Sequence, residues 1–162
     1  MKYISIFVIS IILMLILLSI VFSRVFGKNN NEKIADIKLL HFSYSTGYHY
    51  NASIKFELEC NDECILYYKV DGVSYEDKKE HKVDKELVKE IADKLNEYNV
   101  VKWDKYNKSN PNILDGNSFS LDIEYKDDKK ISASGYESWP TNYGNVKKNL
   151  NSAFSKYIDE DN

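Results

Sequence analysis

The sequence predicts an α+β domain: an antiparallel sheet of about five strands in the order β-β-β-α-β-β-α, two helices packed on one face, and a single N-terminal transmembrane helix before it. Three observations carry this expectation. Ser53 to Cys60 and Ser118 to Lys126 alternate apolar and polar residues with a period of two, as strands with one buried face do. Two segments, near residues 84–98 and 143–158, repeat apolar residues with the 3.6 period of a helix buried along one stripe. Ile4 to Phe22 is a run of nineteen residues without a charge, broken only by Ser5, Ser10 and Ser19.

At about 1.5 Å of rise per residue that first run reaches roughly 28 Å, close to the hydrocarbon thickness of a bilayer. Residues 1–27 are therefore read as a signal anchor. A cleaved signal peptide is the rival reading, but it calls for a shorter apolar core and a small-residue exit, whereas this run leads into Phe22-Ser23-Arg24-Val25-Phe26. Residues 28–33, with Asn29, Asn30 and Asn31 in a row, read as a polar spacer; residues 34–158 form the domain and residues 159–162 an acidic tail. The positive-inside count across the run leans against export, because Arg24, Lys28 and Lys33 follow it, yet long domains cross largely regardless of charge.

Within the domain, Asp36 to Ser45 reads as the first strand, with Leu40, Phe42 and Tyr44 on one side. In the second, Ile54, Phe56, Leu58 and Cys60 face one way; in the third, Cys64 to Val70, so do Cys64, Leu66, Tyr68 and Val70. Asn61-Asp62-Glu63 between them has hairpin length. A turn at Asp71-Gly72 and a charged stretch from Glu76 to Lys82 lead to the first helix. Asp84 is its candidate N-cap, and Leu87, Val88, Ile91, Ala92, Leu95 and Tyr98 are its stripe. Lys105 to Asn112 reads as a loop, Asp115-Gly116 as a turn, and Lys126-Asp127-Asp128-Lys129 as the hairpin between the last two strands. The final helix carries Tyr143, Val146, Leu150, Ala153, Phe154, Tyr157 and Ile158 on one stripe.

Composition narrows the function classes. Lys2 and Arg24 are the only charges among the first 27 residues, so the remainder holds 20 basic against 25 acidic side chains, a formal −5. Nucleic acid calls for clustered positive charge, and is excluded as a partner on that ground. Arg24 is the only arginine, so the domain lacks a guanidinium fork for phosphate or guanine. Thirteen Tyr, seven Phe and two Trp favour a packed core or a stacking surface over disorder.

Cys60 and Cys64 bracket the hairpin loop in the same inward phase, and opposite strand positions lie within disulfide reach. A disulfide and a pair of buried thiols are both open. A metal site would need two more ligands, which His41, His49 and His81 do not supply at a paired spacing. A redox dithiol is more often C-x-x-C at a helix start than C-x-x-x-C in a hairpin. No G-x-S-x-G, H-E-x-x-H or Gly-rich phosphate loop occurs, and the acidic residues Asp127, Asp128, Asp159, Glu160 and Asp161 lack the spacing of a calcium loop. No enzyme, no cofactor and no metal is expected.

One passage remains. Trp103-Asp104-Lys105-Tyr106, Leu114-Asp115-Gly116-Asn117-Ser118-Phe119, Ser132-Ala133-Ser134-Gly135-Tyr136 and Trp139-Pro140-Thr141-Asn142-Tyr143 follow one another over the second half of the domain. This pattern resembles a family of uncharacterised bacterial envelope-associated domains. The resemblance implies a tethered or secreted module of the cell envelope and transfers no catalytic residues; the Cys60 and Cys64 pair is not part of it. The residues themselves admit two readings. Trp103 and Tyr143 can fill the core while Gly135 and Pro140 bend the chain into its last helix. Alternatively Tyr136, Trp139 and Tyr143 can line a shallow groove with Asp115 and Ser134 as hydrogen-bonding groups, and Trp103 counts with them as a candidate binding residue. The functional expectation is a single-pass protein of the cell membrane, N-terminus cytoplasmic, whose extracytoplasmic domain binds an envelope protein or cell-wall glycan. A small hydrolase using one histidine and an inhibitor or immunity-type protein are the alternatives.

Overall fold

The computed structural model describes residues 14, 32–47, 53–70 and 79–159. The chain divides into two units, Met1–Glu32 and Lys33–Asn162. In the second, strands β1 (Leu39–Ser45), β2 (Ser53–Cys60), β3 (Cys64–Val70) and β4 (Lys79–Val83) precede helix α1 (Lys85–Glu97) and a 3-10 turn (Val100–Trp103). Strands β5 (Tyr106–Ser109), β6 (Ser118–Tyr125) and β7 (Lys129–Tyr136) follow, and helix α2 (Tyr143–Asp159) ends the unit. One sheet holds all seven strands in the order β4-β3-β2-β1-β6-β7-β5. Every neighbouring pair is antiparallel except β5 and β7, which run parallel.

The α+β class with two helices stands, but the five-stranded antiparallel sheet is corrected to a mixed sheet of seven. Both added strands are edges, and edges escape an alternation test. Lys-Glu-His-Lys-Val of β4 buries only Val83 fully, and charge on an edge strand blocks pairing with other chains. Strand β5 has four residues, of which only Tyr106 packs against the core.

The membrane expectation is also corrected. No helix among the described residues is long and apolar enough to cross a membrane, so the single-pass anchor and the extracytoplasmic placement built on it are not upheld. The length estimate required one continuous apolar helix of about 20 residues. Of Ile4–Phe22, all but Met14 lies outside the described residues, as do spacer residues 28–31, the Asp71-Gly72 turn and tail residues 160–162.

Alternation sorts the sheet's two faces. Leu40, Phe42, Phe56, Leu58, Leu66 and Leu121 are completely buried on the helix-covered face, together with Phe119, Ile123, Tyr125, Ile131 and Ala133. Helix α1 adds Val88, Ile91, Ala92 and Leu95, and α2 adds Val146, Leu150, Phe154 and Tyr157. The Phe154 ring stands 5.0 Å from Phe56, and burial of such a side chain contributes about 2–3 kcal/mol. The other face carries His41, Ser43, Ser45, Ser120, Asp122, Ser132 and Ser134, polar residues suited to water.

Local chemistry sets the ends. Asp84 holds the N-cap position in extended conformation without a side-chain capping bond. Tyr98 and Asn99 donate backbone hydrogen bonds to the carbonyls of Lys94 and Asn96, and Asn99 takes the left-handed conformation that ends α1. Asp127 and Asp128 both have positive φ, 59° and 55°, as a tight hairpin between right-twisted strands requires. At the β2–β3 turn, Cys60 lies opposite Cys64 with a Cα separation of 4.1 Å, and the two are joined as a disulfide.

Candidate functional site

The end of the sheet remote from that disulfide is built from loops bound to one another. The loop following β5 donates from Asn110 N–H to the Tyr136 carbonyl at 2.9 Å, and the segment after β7 donates from Glu137 N–H to the Asn117 carbonyl at 2.9 Å. The Tyr136 hydroxyl accepts from Gly116 N–H at 2.6 Å and donates to the Leu114 carbonyl at 2.7 Å. The Glu137 carboxylate accepts from both the backbone and the side-chain amide of Asn117, and Glu137 has a φ of 45°. Gly47, after β1, donates to the Asn117 side chain at 3.3 Å. Close approach explains the glycines here. A Cβ on Gly116 would lie 2.4 Å from Cγ of Glu137, and one on Gly135 would lie 2.1 Å from the Ser138 carbonyl oxygen.

Behind the loops is an aromatic cluster. Trp139 stacks on Tyr143 with centroids 4.6 Å apart and an interplanar angle of 22°. Phe119 stands 4.7 Å from Tyr143 and 5.6 Å from Trp139. Trp103 is buried beneath them, 6.2 Å from Phe119, its indole N–H donating to the Thr141 carbonyl at 3.1 Å. Tyr106 reaches in from β5 and bonds the Ser138 hydroxyl at 2.9 Å. Asn142, with a φ of 67°, opens α2, its carbonyl accepting from Asn145 and Val146. Burial, then the nearby Tyr44 hydroxyl, pushes the Tyr143 phenol well above its ordinary range. Lys147 sits 3.7 Å from the Tyr44 ring centroid, and burial pulls its ammonium pKa down.

No family model and no curated protein matches this chain.

The residues singled out in the sequence therefore divide. Trp103, Trp139 and Tyr143 share one cluster on the helix-covered face. Tyr136 and Ser134 alternate with the buried Ala133 and Gly135, so they belong to the opposite face, and the Ser134 hydroxyl donates to Asn107 at 3.3 Å. Asp115 is exposed on the loop that Tyr136 ties down. The structure thus ties the loop carrying Asp115 to Tyr136 on one side of the sheet, while Trp139 and Tyr143 stack on the helix-covered side of the same end.

Sequence reasoning missed Ile113 and Leu114 as surface groups. Within Lys33–Asn162 the exposed large apolar side chains among the described residues are Ile113, Leu114 at 92% and Trp139 at 38%, and all three stand on these joined loops. The signal was present: two large aliphatic residues in succession directly after Pro111-Asn112, where a turn has no core to fill.

The histidines lie elsewhere. His41 Nδ1 is 3.7 Å from one oxygen of Asp122, whose other oxygen accepts from the Ser132 hydroxyl at 2.6 Å. Hydroxyl and imidazole each face the carboxylate, whereas a nucleophile and its base must bond to each other. His81 lies between the rings of Tyr68 and Tyr157, at 5.7 and 5.4 Å, and His49 is outside the described residues. Among the described residues no group of three or more His, Cys, Asp or Glu is arranged to hold a metal ion.

Proposed function

We propose that the unit Lys33–Asn162 is a non-enzymatic binding module that engages a protein through the loop rim at residues 110–117 and 137–143. The observation that carries this reading is that the exposed Ile113, Leu114 and Trp139 all stand on two loops held together by hydrogen bonds. Exposed large apolar residues scattered singly need no explanation, whereas here they are confined to two braced loops at one end of the sheet, which suits a docking surface. The bracing also keeps the ordering cost of association low, because Tyr136 and Glu137 already fix the loops. A protein partner is favoured over a glycan. A sugar ring stacks on an open aromatic face, but one face of the Trp139 indole is covered by Tyr143, and the most exposed group, Leu114, is aliphatic.

A photo-crosslinking amino acid placed at position 114 of the full chain tests this in the native host. A discrete protein adduct from position 114, absent from position 63 at the opposite end of the sheet and abolished by Trp139→Ala, supports the module. Equal labelling from both positions, or retention on cell-wall glycan that Trp139→Ala removes, refutes it.

A further inference from the structure

The disulfide forms part of the wall of a cleft of about 600 Å³ between residues 34–38, the β2–β3 turn and the first half of α1. Ile34, Ile37, Val88 and Ala92 give it an apolar floor. Around that floor stand three ammonium groups, Lys38, Lys85 and Lys89, and three carboxylates, Asp36, Glu86 and Asp93. Lys38 is ion-paired with Asp128 at 2.6 Å and Lys89 with Glu86 at 3.7 Å, exposed pairs that a ligand's own charges can replace at little cost. The two cysteines are unequally placed: Cys64 is only 3% exposed, while Cys60 is half-buried.

We propose that this cleft is a thiol–disulfide exchange site for a zwitterionic, low-molecular-weight thiol of the amino-acid or short-peptide class. Clefts of a few hundred to about 1,000 Å³ are the size that takes small molecules. Lining charges of both signs suit a ligand carrying an ammonium and a carboxylate together, and an apolar floor accommodates its thiol arm. In the exchange, the incoming thiolate bonds to Sγ of Cys60, the less buried cysteine, and the Cys60–Cys64 bond breaks. The electron pair leaves on Sγ of Cys64, which takes a proton from water. The products are a mixed disulfide at Cys60 and a thiol at Cys64, and no outside oxidant or reductant is consumed. The β2–β3 ladder from Ile54–Val70 to Cys60–Cys64 keeps the two positions opposed, so Cys64 can displace the ligand and restore the disulfide. The site is separate from the loop rim at the other end of the sheet.

Reduced glutathione is the probe, with uncharged 2-mercaptoethanol as comparator at equal thiolate concentration. The full-length folded protein is exposed to each, quenched with iodoacetamide and mapped by mass spectrometry. The expected result is a glutathionyl group on Cys60 with alkylated Cys64, formed at least about threefold faster than the comparator's adduct, the scale of two exposed ion pairs. An adduct on Cys64, equal rates for the two thiols, or reaction only in urea that unfolds the protein overturns the proposal. Because Cys64 can erase the adduct quickly, Cys64→Ser, treated with glutathione disulfide, provides a second measurement. Adding Lys85→Ala and Lys89→Ala should slow its loading about threefold. An unchanged loading rate also overturns the proposal.

Discussion

Replacing Gly135 by Ala probes the rim at its tightest point. The new Cβ would lie 2.1 Å from the Ser138 carbonyl oxygen and 2.6 Å from Cε1 of Phe119. Neither neighbour can yield freely. Ser138 is held through its hydroxyl by Tyr106 at 2.9 Å, and Phe119 is wedged among Trp103, Tyr106, Trp139 and Tyr143 at centroid distances of 4.7 to 6.3 Å. Overpacking of this kind costs about 1–3 kcal/mol, and contact with backbone points to the upper end. The reduced freedom of the unfolded chain returns about 0.4–1 kcal/mol, leaving a net loss of about 2 kcal/mol. For a unit of this size that lowers Tm by about 8 °C. Urea unfolding followed by far-UV circular dichroism measures it, and a red shift of tryptophan emission should accompany the loss as Trp139 comes away from Tyr143. A loss below about 0.5 kcal/mol, the ordinary scatter of surface substitutions, refutes the packing argument.

Replacing both Cys60 and Cys64 by Ala removes a cross-link spanning a sequence separation of only 4, so the chain-entropy relation gives a loss of about 2 kcal/mol, read from the urea midpoint. A loss above about 4 kcal/mol would show that the pair does more than close a short loop. Tyr143→Phe tests the buried phenol. Its folded pKa is raised above the ordinary 10.0, so between the two values the unfolded chain releases a proton that the folded chain retains. Stability from this group is therefore intact below pH 10.0 and falls as pH rises beyond it. Tyr143→Phe should flatten that alkaline decline in thermal melts, and an identical slope in both proteins counts against the burial. Lys147, depressed by burial, works in the opposite sense near its ordinary 10.5, so the comparison is made between variants and not on the wild type alone.

Legibility in the sequence followed how much of an element's chemistry is local. Strands β2 and β6 lie inside the sheet, where neighbours on both sides force strict alternation, and Phe56, Leu58, Phe119 and Leu121 announce it. Strand β4 answers to water along one edge, so its Lys, Glu and His read as a charge run although His81 and Val83 still face inward. Strand β5 is set by its pairing with β7, a partner twenty-odd residues later that no window of sequence contains. At the rim, the stacking residues Trp139 and Tyr143 were visible because aromatic residues next to Pro140 and a helix start are conspicuous. The separation of Tyr136 from them follows from strand phase, since Gly135 and Tyr136 are successive residues of β7 and one residue of phase moves a side chain through the sheet. Ile113 and Leu114 were obscured for the opposite reason: apolar residues are assigned to the interior by default.

Strand β1 is the first of the folded unit to leave the ribosome, yet it occupies the middle of the sheet, bonded to β2 on one side and to β6 on the other. Its second partner is distant, since Leu39 pairs with Glu124 and Ser45 with Ser118. Until those residues are synthesised, the β1–β2–β3 meander carries a bare margin of amide and carbonyl groups next to Phe42 and Leu40, a surface on which a neighbouring nascent chain could pair. Pairings this far apart in sequence close slowly, so the protein's exposure to misassembly is concentrated during synthesis, before its last third has emerged.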